Sequence, residues 1–153
     1  MVFINIDINR SLFWGEYSGE FINIDDFLSD TFEQNIFDCQ IRTLTPLKSL
    51  IQLVLHHYKD MNSIFLLATG KSIKYSMFQD IYYLLINNLK DIPINRLYDI
   101  CSEYKIVSYC FYVLYYTNKI FNNDILLKYV EAFRTKEGEA LIEYYGLTLK
   151  EKK

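Results

Sequence analysis

Few residues in this chain are suited to chemistry, and they are scattered: the run Gly70-Lys71-Ser72, the adjacent pair His56-His57, a polar stripe that includes Asp80 and Tyr83, and Asp7 near the start. Gly-Lys-Ser ahead of a helix is how a phosphate-binding loop ends, its backbone amides wrapping the phosphate and its lysine neutralising it. Such a loop needs its first glycine at position 65, where this chain has Phe65. The run therefore reads as Gly70 closing one helix and Ser72 capping the next. Adjacent histidines on a helix diverge by about 100°, so His56 and His57 cannot share a metal as an i, i+4 pair does. His57 flanks an apolar stripe and His56 faces away from it. Ser76, Asp80, Tyr83 and Asn87 fall on one stripe beside the core face of the following helix. A stripe of that kind either lines a cleft or supplies interhelical hydrogen bonds, which makes Asp80 and Tyr83 cleft candidates beside His57 of the preceding helix. Cys39, Cys101 and Cys110 are odd in number and follow no C-x-x-C spacing, which predicts reduced core thiols and no zinc site. No Gly-x-Ser-x-Gly, His-Glu-x-x-His or glycine-rich dinucleotide fingerprint is present.

The elements that must position these residues are mostly helices. The chain has 153 residues, 51% of them hydrophobic and 17% aromatic, with only 5 Gly and 2 Pro. One core suffices at this length, and the scarcity of both punctuating residues favours long helices. The net charge of −3 lacks the broad positive field of a bulk nucleic-acid binder. The first residues lack the basic start of a secretory leader, and no apolar run is long enough to span a bilayer, so the sequence predicts a cytoplasmic protein with no membrane partner.

Val2, Ile4, Ile6 and Ile8 alternate with Phe3, Asn5, Asp7 and Asn9, which predicts a strand with Asp7 on its polar side. A second short strand is expected over Phe21–Ile24, a brief helix from Asp25 or Asp26 to Phe32, and a third strand over Ile36–Thr43. From Thr45, a preferred N-cap followed by Pro46, the period lengthens: Leu47, Leu50, Ile51, Val54, Leu55 and Tyr58 form one helical stripe. Further helices are expected over Ser63–Thr69, Ile73–Leu89, Ile94–Tyr104, Val107–Asn118, Asp124–Arg134 and Glu137–Tyr145. The fold class is thus α+β, mostly α: a small N-terminal antiparallel sheet followed by a helical bundle of five to seven helices. One domain is expected over 1–149, strand-rich over 1–43 and helical over 45–146, with 150–153 a charged tail. Tyr98, Tyr104, Tyr109, Tyr112, Tyr115 and Tyr116 exceed what a small core readily buries, and they offer either a partner surface or amphipathic edging of the core.

The order of segments resembles the later part of a family of uncharacterised bacterial nucleotidyltransferases with the polymerase-β-like fold. The resemblance is carried by Ile6-Asp7-Ile8-Asn9-Arg10-Ser11-Leu12-Phe13, by Thr43-Leu44-Thr45-Pro46, by Leu53-Val54-Leu55-His56-His57-Tyr58-Lys59 and by Asp80-Ile81-Tyr82. It implies a strand-rich remnant of the nucleotidyltransferase palm over 1–43, with Asp7 as the third carboxylate of a site that holds Mg²⁺ against a nucleoside triphosphate. The Gly-Ser pair and the Asp-x-Asp carboxylates of that family are not found in the sequence. The resemblance therefore implies a truncated, nucleotidyltransferase-like chain that is inactive alone and is completed by a partner chain. The alternative is a non-enzymatic helical protein-interaction module, working with a protein partner or as a homodimer.

Overall fold

The computed structural model describes residues 22–146. The strand expected over residues 2–8, Asp7 with it, lies outside them. Within them the chain is mostly α with one small antiparallel sheet: helix α1 (Ile24–Ser29), strands β1 (Thr31–Ile36) and β2 (Cys39–Leu44), then α2 (Pro46–Met61), α3 (Ile64–Ala68), α4 (Tyr75–Asn87), α5 (Ile94–Glu103), α6 (Val107–Phe121), α7 (Asp124–Ala132) and α8 (Lys136–Glu143).

The strand region departs from expectation in its details. Ile24 opens a helix instead of ending a strand, because the Asn23 side chain accepts from the amides of Asp25 and Asp26 and so supplies the cap. That helix stops at Ser29, and Phe32 already belongs to β1. The third expected strand is two strands, broken by a turn at Phe37 and Asp38, both left-handed with φ of 50° and 61°. Two left-handed central residues suit the right-handed twist of a hairpin but normally call for Asn-Gly or Asp-Gly, so Phe37-Asp38 carries no recognisable turn signal. Phe32 pairs with Thr43, Gln34 with Ile41 and Ile36 with Cys39. Directly opposed residues share a face. One face of the hairpin therefore carries Phe32, Ile36, Cys39 and Ile41, all exposed, while Glu33 accepts from Gln40 on the other.

Thr45 precedes α2 as expected, but its hydroxyl donates to the Asp30 carboxylate at 3.1 Å and does not cap the helix. All six residues of the expected α2 stripe are buried, and Met61 extends it. At the start of α2 the Lys48 ammonium is buried, donates to the Tyr104 phenol at 2.6 Å and lies 4.8 Å from the ring centres of Phe27 and Tyr104. The hydrogen bond to Tyr104 and the cation–π contact with Phe27 pin the end of α5 and α1 onto α2. α4 begins at Tyr75, so Ile73, where the helix was expected to start, stands before it and is exposed; Met77, Phe78, Ile81 and Leu85 are buried.

α6 is the centre of the bundle, with α2, α4, α5, α7 and α8 all packed against it. It carries buried residues on every side, from Tyr109 through Leu114, as a helix surrounded by others must. Thr117, fully buried, satisfies its hydroxyl by donating to the Val113 carbonyl at 2.8 Å. The Asn-rich link after α6 has a physical cause: Asn122 takes the left-handed position that ends the helix, and the Asn123 side chain accepts from Ile125 and Leu126 to start α7.

α8 packs on α6 through Gly138. A Cβ built at that glycine would lie 2.5 Å from Cδ1 of Phe111, a fully buried ring. Gly138→Ala gains roughly 1 kcal/mol of helix propensity and loses more to overpacking, so a net destabilisation of about 1–2 kcal/mol is expected in a urea melt. A more stable variant would show that α8 shifts freely on α6.

Candidate functional site

α2 places the two histidines as its apolar stripe dictates. His56 points outward, its Nε2 3.4 Å from the Asp60 carboxylate one turn on. His57 points inward, is only 5% exposed, and neither of its ring nitrogens has a hydrogen-bond partner among the described residues. Burial, and secondarily the charge of His56, lower its pKa to about 4 against a weaker opposing pull from Asp60. A neutral imidazole is the consequence at physiological pH.

Asp80 and Tyr83, the other cleft candidates, stand with Ser76 and Asn87 on the exposed face of α4. The structure does not collect them with His57: the imidazole is inside the bundle and the other two are outside it. A residue of this region with interhelical partners is Tyr82, which the sequence did not mark as a cleft candidate. Its ring stacks on Phe121 at 4.2 Å and its hydroxyl accepts from the Asn123 amide at 3.3 Å.

The Gly70-Lys71-Ser72 run also resolves into local structure. Gly70 has φ of 68°, its amide donates to the Leu67 carbonyl and that of Lys71 donates to the Leu66 carbonyl. Both amides are spent closing α3, so they do not cradle a phosphate. Ser72 is buried and Lys74, not Ser72, occupies the N-cap position of α4.

A shallow groove of about 290 Å³ lies along α6 and α7, and its polar lining includes Asn118, Lys119, Glu131 and Arg134. Its cations are already engaged. Arg134 donates to Glu131 at 2.7 and 3.1 Å and to Glu139 at 3.0 Å, which raises its pKa, and Lys119 lies over the Tyr115 ring. The Arg134 charge is therefore balanced by two carboxylates, while Lys119 keeps its charge against an aromatic ring. No periodic sequence signal marks it, because its lining comes from the outer edges of two helices.

Of the tyrosines offered either as a partner surface or as edging of the core, several are drawn inward. Tyr109 and Tyr112 are buried and pack their rings on Tyr58 at 4.4 and 5.7 Å, and Tyr115 and Tyr116 are half-buried against each other. Burial pushes the Tyr112 phenol above its usual range. Among the described residues no group of three or more His, Cys, Asp or Glu side chains can hold a metal ion, and no helix is long and apolar enough to cross a membrane. These residues do not by themselves fit Mg²⁺, and Asp7 lies outside them. Comparison with known proteins matched the chain to no family model, no curated protein and no solved structure.

Proposed function

We propose that the chain is the C-terminal part of a nucleotidyltransferase with a polymerase-β-like fold, inactive alone and completed by a partner chain. The observation that carries this reading is the arrangement of the segments behind the resemblance. Thr43-Leu44-Thr45-Pro46 joins β2 to α2, the Leu-rich run ending in His56-His57 lies on α2, and Asp80-Ile81-Tyr82 lies on α4, which packs against α2. The hairpin supports completion by another polypeptide, because two strands alone are marginal in water and its apolar face is exposed. One carboxylate cannot assemble a two-metal centre, so the part proposed for the described residues is that of a scaffold.

Calorimetric titration of the chain with each nucleoside triphosphate, with and without Mg²⁺, tests this together with Asp7→Asn. Metal-dependent binding that the substitution abolishes supports the reading, as a remnant of the site that a partner would complete. Absence of binding up to millimolar ligand would remove Asp7 from any role in the isolated chain. A second reading, an interaction module, is favoured by the same hairpin: Phe37 is 95% exposed at its tip, and the apolar face carries no charged side chain. Two copies can meet there across a twofold axis without burying an ion. Sedimentation at rising concentration decides it, since a chain that stays monomeric has no such dimer.

A further inference from the structure

Two of the three cysteines meet inside the bundle. Cys101 on α5 and Cys110 on α6 are 0% and 2% exposed, and their sulfurs are 3.5 Å apart across the corner joining the two helices. Buried cysteines are ordinary core residues. What is unusual here is that the two sulfurs meet from different helices, so that about 1.5 Å of approach would bring them to bonding distance. The corner between them is tight: Lys105 is left-handed with φ of 55°, its amide donates to the Ser102 carbonyl at 3.0 Å, and the Ile106 amide donates to the carbonyl of Cys101 itself at 2.8 Å.

We propose that Cys101 and Cys110 form a reversible redox site, which a low-molecular-weight disulfide converts into an intrachain disulfide locking α5 to α6. The thiolate of one cysteine attacks a sulfur of the oxidant, forming a mixed disulfide and expelling one small thiolate, which takes up a proton. The second cysteine's thiolate attacks the protein sulfur of the mixed disulfide. The Cys101–Cys110 bond forms and the second small thiol leaves. Two protein thiols are oxidised, and one small disulfide is reduced to two small thiols.

In the closed corner the contact with Cys101, together with burial, holds the Cys110 thiol protonated, and no oxidant reaches either sulfur. The exchange therefore proceeds only as fast as the corner opens, and it records that opening. Cys39, exposed on the hairpin, is the competing thiol.

The test uses the full chain carrying Cys39→Ser, incubated with oxidised glutathione, then unfolded, alkylated and examined by mass spectrometry. Expected are the loss of both alkylatable thiols, a mass lower by two hydrogens, a peptide cross-linked between Cys101 and Cys110, and reversal by dithiothreitol. The oxidised form should melt several degrees above the reduced one, since closing the loop restricts the unfolded chain. Full alkylation of both cysteines after prolonged incubation, or accumulation of glutathione adducts without the cross-link, would overturn the proposal. Because the peptide map is read on Cys39→Ser alone, it does not depend on whether a core cysteine variant folds.

Discussion

Replacing Tyr58 with alanine is expected to lower the unfolding free energy by about 4 kcal/mol. Tyr58 is 1% exposed on α2, packs its ring on Tyr109 and Tyr112 of α6, and donates its hydroxyl to the carbonyl of Gly146 just beyond α8. One side chain thus joins three helices. The acceptor is held by a close approach that only glycine permits: Gly146 has φ of 84°, and a Cβ there would lie 2.0 Å from the Asn62 side-chain oxygen. Asn62 in turn donates to the Tyr58 carbonyl at 2.7 Å. Tyr58→Phe keeps the ring and deletes the donor, leaving a buried carbonyl unsatisfied at a cost of about 1–3 kcal/mol. Urea denaturation of the two variants separates the contributions. Equal losses would mean that the hydroxyl, and not the ring packing, dominates.

The second large effect is acid-linked. Burial holds the His57 imidazole down to a pKa of about 4, against the usual 6.5 of a histidine. Between those values the unfolded chain binds a proton that the folded chain refuses, so stability rises with pH across the window and falls as the solution is acidified through it. The full loss, reached below about pH 4, is roughly 3 kcal/mol. Carboxylates also titrate there, so the diagnostic quantity is the difference between wild type and His57→Leu. The leucine variant should unfold at higher urea than wild type, with the gap widening from pH 7 to pH 4. A gap that stays constant with pH would show that His57 accepts its proton inside the fold, as a histidine lining a wet cleft would.

His57 was recognisable as a residue flanking the α2 stripe, but period alone does not say whether a flanking position meets water or another helix. α2 packs on α3, α4 and α6, and His57 is buried. Asp80 and Tyr83 carried the same ambiguity and went the other way, to the exposed face of α4. Position along a helix was legible; the neighbour that decides burial was not.

What the sequence determined by itself was the helical part of the fold. The Thr45-Pro46 start and the stripe from Leu47 to Tyr58 are local signals, written in 3.6-residue period and in the proline of the first turn, and together they produced α2. Tertiary structure decided the rest, because it depends on residues far apart in the chain. The hairpin turn at Phe37-Asp38 has no favoured residue and exists through the pairing of its strands. The inward turn of Tyr109 and Tyr112 depends on Tyr58, and the meeting of Cys101 with Cys110 on a left-handed Lys105. A side chain's local period states which face it takes. Only packing states what that face touches.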